Sequence, residues 1–204
     1  MRIFVRRAIV LVILLAAYWG WALAGTAQLA SAASRGDADA VMERIDLQPL
    51  IRSLSGQISQ AFLDENPSLK NPQSPQPSLA LNASAAEMLL RALLTPENIA
   101  MLLNQGRVGV LNAGGKDSGT VWGMPSLGEA FNARPLEVLT HSYFNGPLSF
   151  VVGLDSPDGF YRLQMRLSGI TWRLSAVDIP KPVTARLANL IAQRIGGAVT
   201  LPGG

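Results

Sequence analysis

No charge interrupts the chain from Ala8 to Ala24, and Arg2, Arg6 and Arg7 stand just before that run. As a helix the run would be about 25 Å long, slightly short of a hydrocarbon core of about 30 Å. It can continue, because Gly25 to Ser34 is uncharged and mostly small. Tyr18, Trp19 and Trp21 fall where an aromatic belt would meet the far leaflet. Three arginines, with no acidic residue before Asp37, favour a cytoplasmic N-terminus. Residues 1–33 therefore read as a membrane anchor. A cleaved signal peptide is the alternative, since Ala22-Leu23-Ala24 and Ala30-Ser31-Ala32 both have small-x-small spacing. Either way, residues 34–204 are expected outside the cytoplasm as a single domain.

The anchor also accounts for the charge. Of 17 Lys and Arg, three precede the apolar run, and the remaining 14 balance 14 Asp and Glu. A neutral domain lacks the basic face that phosphate backbones require, so no nucleic-acid partner is expected. With no cysteine and one histidine, the chain offers neither disulfides nor thiolate chemistry, nor a His-rich zinc site.

Helices come first. Gly36-Asp37 pairs a stop with a cap for a short helix from Ala38 to Arg44. Asp46 opens a longer helix, with Ile51, Leu54, Ile58 and Phe62 on one face. Residues 66–84 hold four prolines among Asn, Gln and Ser and read as a flexible loop. Ala85 to Leu94 and a helix begun by Thr95-Pro96 follow. Gly106 to Arg134 is ambiguous, with a short strand expected over Arg107 to Leu111. From Leu136 the period becomes two, and turns at Asn145-Gly146, Ser156 to Gly159 and Ser168-Gly169 imply a meander. A turn centred on Ser168-Gly169 would oppose Leu167 to Ile170 and Met165 to Trp172. After Pro180 and Pro182, Val183 to Ile195 reads as a final helix with Leu187, Leu190 and Ile191 inward. The fold class is α+β: an N-terminal transmembrane helix, a helical group, an antiparallel sheet of about four strands and a C-terminal helix.

Chemistry is sparse. Gly114 to Thr120 lacks phosphate-loop spacing, and Lys116 is followed by Asp rather than Ser or Thr. His141 reads as a strand residue sharing a face with Leu139 and Tyr143, and Ser142 would point away from it. Asp37, Asp39, Glu43 and Asp46 lack calcium-loop spacing and suit helix starts. Lys181, Arg186 and Arg194 in the last helix would suit a membrane surface, but its narrow apolar stripe and modest charge favour packing on the sheet. Arg162, Arg166 and Arg173 remain as candidate binding residues. Strand alternation puts them on one polar face, where they would hold an anionic head group or an acidic partner; the plainer reading is a solvated face. No catalytic, metal-ligating or cofactor-binding set is assigned, and no cofactor is expected.

The order of short motifs resembles a known family. Gly36-Asp37, Ile45-Asp46 and Arg52 follow the membrane helix, then Leu94-Thr95-Pro96-Glu97-Asn98-Ile99, then Ile170 to Leu174 and Ile179-Pro180. This arrangement is similar to the membrane-anchored domain of unknown function family 2939. That family prefers an aromatic where this chain has Leu47; the proline-rich insertion and long final helix are particular to this chain. The resemblance implies bacterial origin and a single-pass envelope protein with no established activity to transfer. Together with the arginines it sets the expected location as the inner membrane, with the domain periplasmic or extracytoplasmic. The expected function is a non-catalytic module binding an envelope protein or lipid. The alternative is a carrier of a small apolar ligand, lined by Trp172, Phe150 and Tyr161. A hydrolase using His141 or carboxylates such as Asp39 is the third reading.

Overall fold

The computed structural model describes residues 2–65, 83–106, 110–111, 117–118 and 123–189. The helices are α1 (Arg2–Ser34), α2 (Ala38–Glu43), α3 (Leu47–Glu65), α4 (Ala83–Leu93), α5 (Pro96–Gln105), α6 (Leu127–Ala133) and α7 (Pro135–Thr140), with α8 at residues 181–189. Two short strands, β1 (Val110–Leu111) and β2 (Asp117–Ser118), pair with each other. The main sheet comprises β3 (Ser142–Phe144), β4 (Ser149–Ser156), β5 (Gly159–Ser168) and β6 (Thr171–Asp178), an antiparallel meander in that order. The α+β class is as the sequence implies. Most of the proline-rich segment and the chain beyond residue 189, including Leu190 and Ile191, lie outside the described residues.

Local signals act where the sequence places them. Asp37 accepts from the Ala40 N–H at 3.0 Å, and Thr95 Oγ1 accepts from the Asn98 N–H at 3.3 Å. Ile51, Leu54, Ile58 and Phe62 all face the core. Asp46 lies just before α3 and uses its backbone, donating its N–H to Leu174 at 2.8 Å while Leu174 donates to Arg44 at 2.8 Å. The outer edge of β6 is thereby partly covered, which limits further strand pairing. Gln57 of α3 holds the end of β6, donating to Val177 O at 2.7 Å and accepting from the Ile179 N–H at 2.9 Å.

Two local expectations are corrected. Residues 135–140 form α7 rather than a strand, because Pro135 occupies the first turn with Glu137 behind it. His141 caps that helix and precedes β3. In the last hairpin the register moves by two, opposing Leu167 to Trp172 and Met165 to Leu174. Gly169, at φ +63, takes the first central position of the turn, as a type II′ turn requires. As far as Leu174 a shift of two keeps side chains on their faces, but it moves Ile170 to the turn tip, where it is 84% exposed. A bulge between Gln164 and Met165 then opposes Leu163 to Val177, which turns inward in place of Ala176.

The helix α1 has two environments. Ile9 to Leu15 are each between 50% and 63% exposed, whereas Ala22, Leu29, Ala30, Ala32 and Ala33 are at most 2% exposed. Its second half thus belongs to the core that the sheet and helices share. Tyr18, Trp19 and Trp21, expected in a lipid belt, pack against Phe144, Phe150 and Trp172. Gly25 permits the close approach, since a Cβ there would lie 2.7 Å from Trp172 Cβ.

Gly25→Val should destabilise the protein by about 1–3 kcal/mol through overpacking. At Gly20 a Cβ meets nothing within 4 Å, so Gly20→Val should melt as the wild type does. Thermal melts of the detergent-solubilised full chain compare the two.

Candidate functional site

Antiparallel alternation gives the sheet one buried and one outer face. Phe150, Val152, Leu154, Tyr161, Leu163, Met165, Trp172 and Leu174 face inward and are almost fully buried. Arg162, Arg166 and Arg173 are exposed on the other side. Only two of them meet. Arg166 and Arg173 stand directly opposite across β5 and β6. Arg162 pairs in register with Asp178 and lies 5.7 Å over the Phe160 ring, toward the other end of the sheet. Among the described residues, neither Arg166 nor Arg173 has a carboxylate partner. Opposed like charges on neighbouring strands are unfavourable, and a bound anion would relieve them. Arginine suits a phosphate or carboxylate because its guanidinium can donate two parallel hydrogen bonds.

A second cluster lies at the opposite end of the sheet. Glu137 and His141, one helical turn apart on α7, meet Asp155 of β4, and one ligand atom from each lies within 4.8 Å of the others. His141 Nδ1 is buried without a hydrogen bond and sits 3.8 Å from Asp155 Oδ2. Glu137 is shared with Arg134 at 3.6 Å. Glu137 and Asp155 border a cleft of about 180 Å³ whose walls include Ser126, Glu129 and Arg134. The arrangement can attract a cation. Ser142 is not poised as a nucleophile beside it, because its hydroxyl is turned back to donate to Val138 O. Asp39 is elsewhere, in the first turn of α2. The Glu137-x-x-x-His141 spacing was the available sequence signal, hidden by reading residues 136–144 as a strand.

The aromatics proposed to line a carrier pocket are core residues. Phe150, Tyr161 and Trp172 are at most 1% exposed, and Phe150 and Trp172 lie in ring contact at 6.3 Å. An apolar groove of about 760 Å³ instead lies between α1 and the β3–β4 turn, lined by Val12, Leu15, Tyr18, Trp19, Phe144 and Pro147, among others. The Gly114 to Thr120 loop is described only at β2. In α8, Val183, Leu187 and Ala188 are buried, while Arg186 pairs with Asp158.

These features define a class: an α+β domain whose sheet packs on the inner half of one long N-terminal helix, apolar enough to cross a membrane. The family described as Protein of unknown function (DUF2939) matches residues 11–102, so the chain is similar to that family from the apolar helix into α5. The sheet motifs at Ile170 to Pro180 lie beyond the matched residues. No curated protein and no solved structure matches the chain.

Near the distal end, burial and then the Asp158 carboxylate raise the Tyr161 phenol from 10.0 to about 12, opposed by Arg186. The unfolded phenol ionises first, so this contribution to stability is intact below about pH 10 and falls as pH rises toward about 12. Tyr161→Phe should therefore lose less stability than the wild type over that window, measured by melting temperature against pH.

Proposed function

We propose that this protein is a single-pass, membrane-anchored binding module without catalytic activity. Its N-terminus lies in the cytoplasm, and its domain works at the opposite, periplasmic surface of a bacterial inner membrane. The observation that carries the reading is the division of α1. Its first half exposes a continuous apolar surface that water disfavours, and its second half is domain core. Cleavage after Ala24 or Ala32 would strip Ala22 or Leu29 from that core, which supports retention of the helix. Arg2, Arg6 and Arg7 at its start support the orientation. The binding surface is the outer sheet face, where the arginines offer a positive patch on an otherwise neutral domain. The Ser142 hydroxyl, bound to Val138 O and not to His141, disfavours a hydrolase built on that pair, and the packed state of Trp172, Phe150 and Tyr161 disfavours a carrier built around them.

Native mass spectrometry of full-length protein extracted from its membranes tests the reading. The expected result is an uncleaved N-terminus and an associated lipid or protein. That species should be lost from Arg162→Glu/Arg166→Glu/Arg173→Glu, with the melting temperature preserved. A chain starting after Ala24 or Ala32, or one carrying no associated species, contradicts the proposal.

A further inference from the structure

The β3–β4 and β5–β6 turns lie at the same end of the meander, joined by the Leu167 N–H bond to Leu148 O at 2.9 Å. α1 passes beside that end. Tyr18 donates to Pro147 O and stacks on Phe144 at 5.1 Å, while Val12 and Leu15 share a groove with Gly146 and Pro147. The exposed apolar half of the helix begins at this level and leads away from the domain.

The length of α1 clear of the domain is too short. From Arg7 to Tyr18 the helix rises about 16 Å, and from Ile3 about 22 Å. A hydrocarbon core measures about 30 Å. A short span can be accommodated by thinning the bilayer or by snorkelling of its flanking residues, but α1 has no linker with which to lift the domain clear. The adjoining turns are therefore drawn toward the lipid, and their composition suits them to it. Asn145 to Leu148 and Ser168 to Thr171 carry no charge, and Leu148 and Ile170 are 55% and 84% exposed.

We propose that this end of the sheet is a second membrane contact. Leu148 and Ile170 enter the near leaflet, and Arg166 with Arg173 holds the phosphate of an anionic lipid. The proposal rests on α1 being a membrane span. The heights agree: Arg173 lies three residues beyond Ile170, about 10 Å along an extended strand. The headgroup layer is about 5–7 Å deep, and an arginine stem can reach back across the difference. Arg162, on the far half of β5 opposite Asp178, is outside this contact. A soluble acidic partner is disfavoured because it would have to occupy the headgroup layer to reach Arg166 and Arg173.

Cysteine is absent from the chain, so a single Ile170→Cys substitution can carry an environment-sensitive dye without background labelling. The full-length protein is placed in nanodiscs of zwitterionic lipid, with or without phosphatidylglycerol. The dye at residue 170 should shift to the blue and be quenched by nitroxide on lipid acyl chains. A dye on Asp178→Cys, far along β6, should remain in water. Arg166→Gln/Arg173→Gln should weaken phosphatidylglycerol binding by about tenfold or more, with partial rescue by Arg166→Lys/Arg173→Lys and no change in melting temperature. A water-exposed dye at residue 170, or undiminished phosphatidylglycerol binding in the glutamine variant, overturns the proposal. Capture of an acidic soluble protein with that dye still in water assigns the face to such a partner instead. Alkaline extraction separates the two readings: release of the chain from membrane defeats the anchor itself, whereas retention with an unquenched dye defeats this inference alone.

Discussion

The contact of Gly25 with Trp172 brings the N-terminal helix onto the sheet. A side chain at residue 25 would push α1 away from β6; without one, the helix and sheet share a core. Around that point the aromatic rings of Tyr18, Trp21, Phe144, Phe150 and Trp172 meet with centroids between 4.9 and 6.3 Å apart. Such pairs contribute beyond the area they bury. An apolar helix and a domain that a hydropathy profile would separate therefore pack as a unit.

This packing has a consequence for placement. A flexible linker would let a domain hover at any height and orientation above a bilayer. Here the helix enters the core directly, so with α1 spanning a membrane as proposed, its axis aligns the domain and its free length sets the depth. The β3–β4 and β5–β6 turns are carried beside the apolar half of α1, while the Glu137, His141 and Asp155 cluster is held at the other end of the sheet. On the proposed reading the two charged regions face different surroundings, one beside lipid and one in solvent.

Much of the architecture was legible because it rests on short-range chemistry. The apolar repeat of Ile51, Leu54, Ile58 and Phe62 marks a helix face, and Thr95-Pro96 marks a helix start. The alternation in β5 and in β6 as far as Leu174 assigns inward and outward residues although the paired register is displaced by two, whereas the bulge reverses it at Ala176 and Val177. What escaped depends on finer geometry. Whether Gly169 stands first or second in its turn decides the fate of Ile170, and the dipeptide does not distinguish them. The apolar positions in residues 136–144 suggest a strand, whereas Pro135 and Glu137 start a helix, and only the helix brings Glu137 and His141 into one cluster with Asp155. The inner half of α1 was hard to assign for a different reason. Ala22, Ala30 and Ala33 are equally suited to lipid and to close packing against protein, so hydropathy alone does not separate the two. For the arginines, alternation identified the shared face, but pairing Arg166 with Arg173 and leaving Arg162 aside required the register.

Hydrogen–deuterium exchange on the full-length protein in nanodiscs addresses the central claim, that α1 is one helix serving membrane and core together. Amides of residues 22–33 should be protected to the same degree as those of β5 and β6. Both should lose protection together in Trp172→Ala, while residues 9–15 stay protected by lipid. Rapid exchange in residues 22–33 with the sheet still protected would show that the helix is not part of the core, and would contradict the account.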